Sequence, residues 1–139
     1  MLKLLKFGLP LLLVGGLVAF KFMQPKAPLD IHKAPTELTI NAGSLYAAFE
    51  TDETKANGTY AGKVMEVSGT LSAVNQENDG HFALNLAADS PLGQVVCNLA
   101  PNEPQPTNKA TIGQVVTVKG VCTGYLFDVV LDNATIISQ

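Results

Sequence analysis

The side chains able to do chemistry in this 139-residue chain are few. Two cysteines (Cys97, Cys122), two histidines (His32, His81) and five serines (Ser44, Ser68, Ser72, Ser90, Ser138) are its candidate nucleophiles, bases and metal ligands. His32 falls in a proline-containing stretch and His81 beside a turn, so no serine has a base in its sequence context. There is no G-x-S-x-G, no P-loop and no G-x-G-x-x-G. The closely spaced carboxylates, Asp52 with Glu53 and Glu77 with Asp79, read as the wet sides of a helix and a turn. The chain therefore reads as a non-enzyme without a cofactor. Two cysteines and two scattered histidines do not make a zinc ligand set, and without C-x-x-C the cysteines do not read as a redox pair.

Two readings of the cysteines stay open. In an exported protein Cys97 and Cys122 would form one disulfide, closing a loop of about 25 residues. Alternatively they are two buried free thiols acting as small apolar residues.

Binding chemistry is better represented. Lys63, Lys109 and Lys119 could meet phosphates, and Tyr60, Phe82, Tyr125 and Phe127 could stack on bases. Phe82 is in phase with Leu84 and Leu86 and reads as core. Tyr125 and Phe127 lie at a strand connection, where core or rim packing competes with ligand contact. Charge opposes a polyanion. All nine basic residues are Lys, and past Phe22 six of them face all twelve acids, a formal −6. Nucleic-acid domains ordinarily show a basic patch with Arg.

The elements that must position these residues are strands. Tyr60 to Val74 alternates, with Met65, Val67, Gly69, Leu71 and Ala73 on one face. Asp79-Gly80 is a hairpin signal. His81–Ala87, Gln94–Leu99, Gly113–Gly124 and Phe127–Ile137 follow as strands two to five, with Pro101, Pro104 and Pro106 in the crossing before the fourth. The pattern G-x-V-x-x-V-x-G occurs twice, at Gly62–Gly69 and Gly113–Gly120, 51 residues apart. A glycine inside each of two good strands predicts a bend. Five short strands bent in this way predict a five-stranded OB-type barrel in which strands one and four are neighbours. In that order strands three and four are not adjacent, which counts against the disulfide. One helix precedes the barrel: Asn41 is its cap, Leu45 and Phe49 its apolar stripe, and Asn57-Gly58 its end.

The amino terminus is of another kind. Fourteen uncharged residues, Phe7 to Phe20, lie between Lys6 and Lys21. As a helix they span about 21 Å, and Leu4, Leu5 and Phe22 extend the run if the lysines snorkel. The expectation is an uncleaved signal-anchor helix over residues 1–22. A proline-rich linker follows over 23–41 and the OB domain over 42–139, exported to the periplasmic side of a bacterial inner membrane. A cleaved signal and a secreted domain is the alternative.

Several motifs resemble one family. Tyr60-x-Gly62-Lys63-Val64-x-x-Val67-x-Gly69 opens the likeness. Gly113-Gln114-x-Val116-x-Val118-Lys119-Gly120-x-Cys122-x-Gly124 and the run Asp128-Val129-Val130-Leu131 continue it, and the helix Leu45-Tyr46-x-x-Phe49-Glu50 precedes it. Together they resemble the tRNA_anti-like OB-fold proteins of bacterial envelopes, over most of residues 42 to 137. The resemblance implies the barrel and a binding role, and it transfers no catalytic residue. The chain departs from lipoprotein relatives in having no lipid-acceptor Cys near its apolar segment. The expected function is a membrane-tethered, non-enzymatic OB-fold binding module for an envelope protein or glycan, with a single-stranded nucleic-acid binder as the alternative. The residues offered for ligand contact are Lys63, Lys109, Lys119, Tyr125 and Phe127.

Overall fold

A computed structural model describes residues 29–106 and 109–139. The expected anchor, residues 1–22, and the start of the linker lie outside them. Among the described residues no helix is long and apolar enough to cross a membrane.

The elements in order are β1 (Leu38–Asn41), α1 (Ala42–Thr51), α2 (Glu53–Tyr60), β2 (Val64–Gln76), β3 (Phe82–Ala87), β4 (Gln94–Leu99), β5 (Val115–Tyr125) and β6 (Val129–Ser138). The antiparallel pairs β2–β3, β3–β4 and β6–β5, with the parallel pair β4–β6, form one sheet. Antiparallel pairing of β5 with β2 closes it into a five-stranded barrel, as the repeated glycine pattern predicts. A sixth strand, β1, adds in parallel to the other edge of the first half of β2. This strand lies at the end of the stretch expected as a proline-rich linker, residues 23–41.

Both internal glycines sit where another chain segment presses close. A Cβ at Gly69 would lie 2.9 Å from the Cβ of Ala42, the first residue of α1. One at Gly120 would lie 3.1 Å from the Cβ of Ala134 on β6. At Gly69 a methyl group would force a shift, and at Gly120 the neighbours would have to give by a few tenths of an ångström, so both glycines favour the close approach of α1 and β6 to the barrel. Irregular register lies close to each of them, between Leu71 and Ala73 just past Gly69 on β2 and across Gly120, between Lys119 and Val121, on β5.

The expected single helix is two. Asn41 caps α1 as predicted, its side-chain oxygen accepting from Ser44 N at 2.7 Å. Asp52 then ends one helix and starts the next: its N–H bonds to Ala48 O at 3.1 Å, and its carboxylate accepts from Lys55 N at 3.1 Å. The chain stays helical through Asn57-Gly58, the expected stop, and ends at Tyr60. Gly62, at φ 80°, makes the turn into β2 instead. Tyr60, expected to open the first strand, is therefore the last helical residue.

Helix α1 plugs one end of the barrel. Leu45, Tyr46 and Phe49 are buried against Met65, Val67, Leu84, Leu86, Val95, Val118 and Leu131. Each such side chain contributes about 1.5–3 kcal/mol by leaving water. A second, smaller cluster lies outside the barrel, where Ile31 and Ala34 cover Val64 and Val121.

Candidate binding face

Alternation along β4 sends Val95, Cys97 and Leu99 inward and Gln94, Val96 and Asn98 outward. On β3, Leu84 and Leu86 face in, and Asn85 and Ala87 are half-exposed. Register sets Asn85 opposite Val96 and Ala87 opposite Gln94. The neighbouring strands complete the strip. Ser72 of β2 donates to Asn85 O at 3.0 Å and contacts Gln94 Oε1 at 3.2 Å, and Asn98 Nδ2 donates to Asp132 Oδ1 of β6 at 2.8 Å. These are the second and third strands of an OB-type barrel, the face on which such barrels take oligonucleotides and oligosaccharides. Here it is a strip of amides and small side chains, with no basic or aromatic residue on the outward positions of either strand.

Each end of the strip has its own character. Beside the β2–β3 turn, Asp79, His81, Asn98, Asp132 and Asn133 line a depression of about 340 Å³. The His81 N–H donates to Asp79 Oδ1 at 3.3 Å and the ring Nδ1 contacts the same oxygen. The N–H foremost, then the ring, holds the Asp79 carboxyl below its ordinary value. At the other end lies the β5–β6 connection, with Leu126 and Phe127 in solvent.

The five residues expected at a ligand are dispersed. Lys109 and Lys119 come together with His32, Glu66 and Thr135 around a depression of about 400 Å³, on the outside of β5 and β6 and away from the β3–β4 strip. Within it, the Lys119 ammonium already donates to Ala34 O, and Glu66 supplies a carboxylate. Lys63 is not among its walls; its backbone carbonyl accepts from Cys122 N at 3.1 Å. Tyr125 is six residues from Lys119 along β5, about 20 Å in extended chain. It belongs to an aromatic cluster, stacked on Phe49 with centroids 5.8 Å apart and edge-on to Tyr46 at 5.8 Å. Phe49 also packs on Tyr60, so both tyrosines offered for stacking on bases are engaged inside. Phe82 packs against the core, in phase with Leu84 and Leu86. Of the aromatic candidates, Phe127 alone points to water.

Phe127 is also strained. It sits at φ 68°, a conformation that costs a bulky residue about 1–3 kcal/mol. Tyr46 Oη donates to its carbonyl at 3.1 Å, and Asp128 Oδ1 accepts from Gln94 N at 2.9 Å. Burial, then the Tyr125 hydroxyl, pushes the Tyr46 phenol above its ordinary value, so it stays protonated as the donor. Gly93 makes the close approach possible, since a Cβ there would overlap the Phe127 carbonyl and lie 2.6 Å from Tyr46 Oη. The sequence marks Gly93 only as the end of a turn, Asp89 to Gly93, and nothing in it signals the close approach.

The cysteines are free and buried. Cys97 on β4 and Cys122 on β5 both register with Leu131 on the strand between them. Two strand spacings put their Cα atoms roughly 10 Å apart, beyond the ~7 Å limit for a bridge. The disulfide alternative is thus not the arrangement found. Burial pushes the Cys97 thiol up to about 12 and raises Cys122 as well, partly offset there by the Gly124 N–H. Among the described residues no group of three or more His, Cys, Asp or Glu is placed to hold a metal ion.

The tRNA_anti-like family model matches residues 3–136 of the chain. No curated protein matches it. Among solved structures, the chain is similar to the crystal structure of a candidate nucleic acid-binding lipoprotein from Klebsiella pneumoniae subsp. pneumoniae MGH 78578. The TM-score is 0.60 at 16% identity, over 81% of this chain and 100% of that one. At that identity the likeness is one of fold.

Proposed function

Because this chain belongs to the tRNA_anti-like family, we propose that it is a non-enzymatic binding module of the bacterial envelope. Its N-terminal segment would tether it to the inner membrane, and the outer face of β3 and β4 would take an uncharged envelope glycan or protein segment. The observation that carries this reading is the chemistry of that face. Asn85, Gln94 and Asn98 offer amide donors and acceptors, Asp132 and Asp79 lie at one end, and no lysine is present on the two strands. Planar amides and carboxylates match hydroxyls and peptide groups, whereas a phosphate chain laid along this strip would meet carboxylates without counter-charge. The tether rests on the Phe7–Phe20 run with its flanking lysines.

A second reading, single-stranded nucleic acid, has one observation of its own: Lys109 and Lys119 share a depression. The description of the Klebsiella lipoprotein points the same way. Titration of the full chain in detergent against labelled single-stranded RNA and DNA, at low and moderate salt, separates the two. No binding at low salt is expected. Binding that weakens steeply with salt and is lost in Lys109→Ala/Lys119→Ala would overturn the proposal.

A further inference from the structure

Leu29 is fastened at the rim of the depression that ends the β3–β4 strip. Asn133 Nδ2 donates to Leu29 O at 2.7 Å, and Asn133 lines that depression with Asp79, Asn98, Pro101 and Asp132. The chain before Leu29 therefore joins the barrel there.

The depression is short of positive charge. Asp132 Oδ1 accepts from Asn98 Nδ2 at 2.8 Å, and Asp79 Oδ1 accepts from the His81 N–H at 3.3 Å and meets the His81 ring. The second oxygen of each carboxylate has no hydrogen-bond partner among the described residues. Among the described residues no lysine pairs with either carboxylate. Like charges sharing one site call for a cation beside them.

The nearest cation in the preceding chain is Lys26, the only charged residue between Phe22 and Leu29. It lies three residues before Leu29, at most about 11 Å of chain, and its flexible four-carbon stem adds reach.

We propose that Lys26 seats its ammonium in this depression beside Asp79 and Asp132, so that the linker caps one end of the β3–β4 face. Three properties commit the depression to this segment of the same chain. The bond from Asn133 to Leu29 fixes where the segment starts, the span from there to Lys26 is short, and the charges are opposite. Leu99 and Pro101 in the walls offer apolar surface to the lysine methylenes. Surface ion pairs are individually weak, but here a short tether holds the ammonium at high effective concentration. Asp30, the carboxylate nearest Lys26 in sequence, already accepts from His32 N at 3.1 Å. That the cap closes a ligand face rests on the function proposed above; the contact itself does not. A ligand in the depression would displace Lys26, so binding and release of the linker are linked.

Zero-length carbodiimide cross-linking of the full chain in detergent tests the contact, because it joins a lysine only to a carboxylate that it touches. Peptides joining Lys26 to Asp79 or Asp132 are expected at low salt and should fade as salt rises. Asp79→Asn/Asp132→Asn should abolish them with an unchanged circular-dichroism spectrum, since an asparagine oxygen still accepts from Asn98. Lys33→Ala should leave them in place. Lys26→Glu should remove the cross-link, and adding Asp79→Lys should restore one between the exchanged pair. Cross-links from Lys26 to Asp30 alone, or spread evenly over Glu50, Glu53 and Glu77, overturn the proposal. So do peptides that join two differently isotope-labelled copies, which would seat the lysine of one chain on another. These readings need no ligand, so failure of the glycan reading leaves them untouched. If the face takes a glycan, Lys26→Ala should raise that affinity several-fold. An unchanged affinity with the cross-link present would overturn the ligand reading alone.

Discussion

The two outer faces of the barrel are treated in opposite ways. On the β2–β5 side, Val64 and Val121 register with each other and point outward, and residues 29–37 lie across them as a strap. Ile31 is only 2% exposed there. The strap is fastened along its length. Asn133 Nδ2 donates to Leu29 O at 2.7 Å, His32 Nε2 meets Glu103 Oε1 at 2.6 Å, Lys119 donates to Ala34 O, and Glu37 accepts from Val64 N at 2.9 Å. On the β3–β4 side the outward Asn85, Ala87, Gln94, Val96 and Asn98 are half-exposed, with no comparable strap among the described residues. The difference follows from composition: the strapped face has apolar side chains that would otherwise stand in water, and the bare face has amides that water solvates. Cover therefore marks where the fold needs it, and the half-exposed face is the one proposed for a ligand.

The comparison breaks first at Ile31. Ile31→Ala should cost about 2–4 kcal/mol, since a fully enclosed side chain leaves a cavity. Chemical denaturation gives the size, and hydrogen exchange gives the place. Protection should fall at the amides around Val64 and Val121 and hold on β3 and β4. Equal loss on both faces would mean that the strap is not a separate layer.

Glu103 should come next. Its side chain is 8% exposed and takes two partners, His32 at one oxygen and Thr135 Oγ1 at the other, 2.9 Å away. Glu103→Ala leaves Thr135, itself 4% exposed, without that acceptor, at roughly 1–3 kcal/mol. Denaturant midpoints for Glu103→Ala and His32→Ala check the assignment. Most of the loss should follow the carboxylate, because His32 is 62% exposed and surface pairs are worth little.

The cysteines give each face its own reporter. Cys122 lies on strapped β5 and Cys97 on bare β4. In Ile31→Ala, thiol labelling of Cys122 should accelerate more than that of Cys97. Alkali acts through Cys97, whose thiol is raised by burial from 9.0 to about 12. A raised folded value means that stability is fully present below pH 9. It is lost as the unfolded state ionises between pH 9 and about 12, with a slope of up to about 1.4 kcal/mol per pH unit. In Cys97→Ala that alkaline slope should shrink.

Much of the barrel is legible in the residues because it depends on local pattern. The period-two alternation of β3 and β4 places their core residues, and the duplicated glycine pattern brings β2 beside β5. The strap is not legible, because one buried isoleucine in a proline-bearing stretch has no periodicity to reveal it. The helix break at Asp52 is likewise hidden: one residue both stops and restarts a helix only through its side-chain geometry. The candidate face was not legible in this way: Asn85, Gln94 and Asn98 are not among the residues the sequence offered for ligand contact, and those residues are dispersed. Lys109 and Lys119 meet through closure of the sheet, Tyr125 turns inward to Phe49, and Phe127 turns outward through a positive φ that no propensity scale favours.

The smallest effect on stability falls on the bare face. Asn85→Ala and Asn98→Ala should each change stability by no more than about 0.5 kcal/mol, because both side chains are half-exposed and solvent replaces what they lose. Asn98 gives the sharper reading of the two. Its Nδ2 orients Asp132, so its removal frees that carboxylate without burying it. If the amides and carboxylates of this face hold a glycan or protein segment, Asn98→Ala should weaken that binding about tenfold, within the range for a lost hydrogen bond to a charged or preorganised partner. Ile31→Ala should leave the affinity nearly unchanged. Calorimetric titration of the full-length variants with envelope glycans reads both numbers. The opposite pattern, affinity tracking Ile31 and ignoring Asn98, would move the ligand to the strapped side.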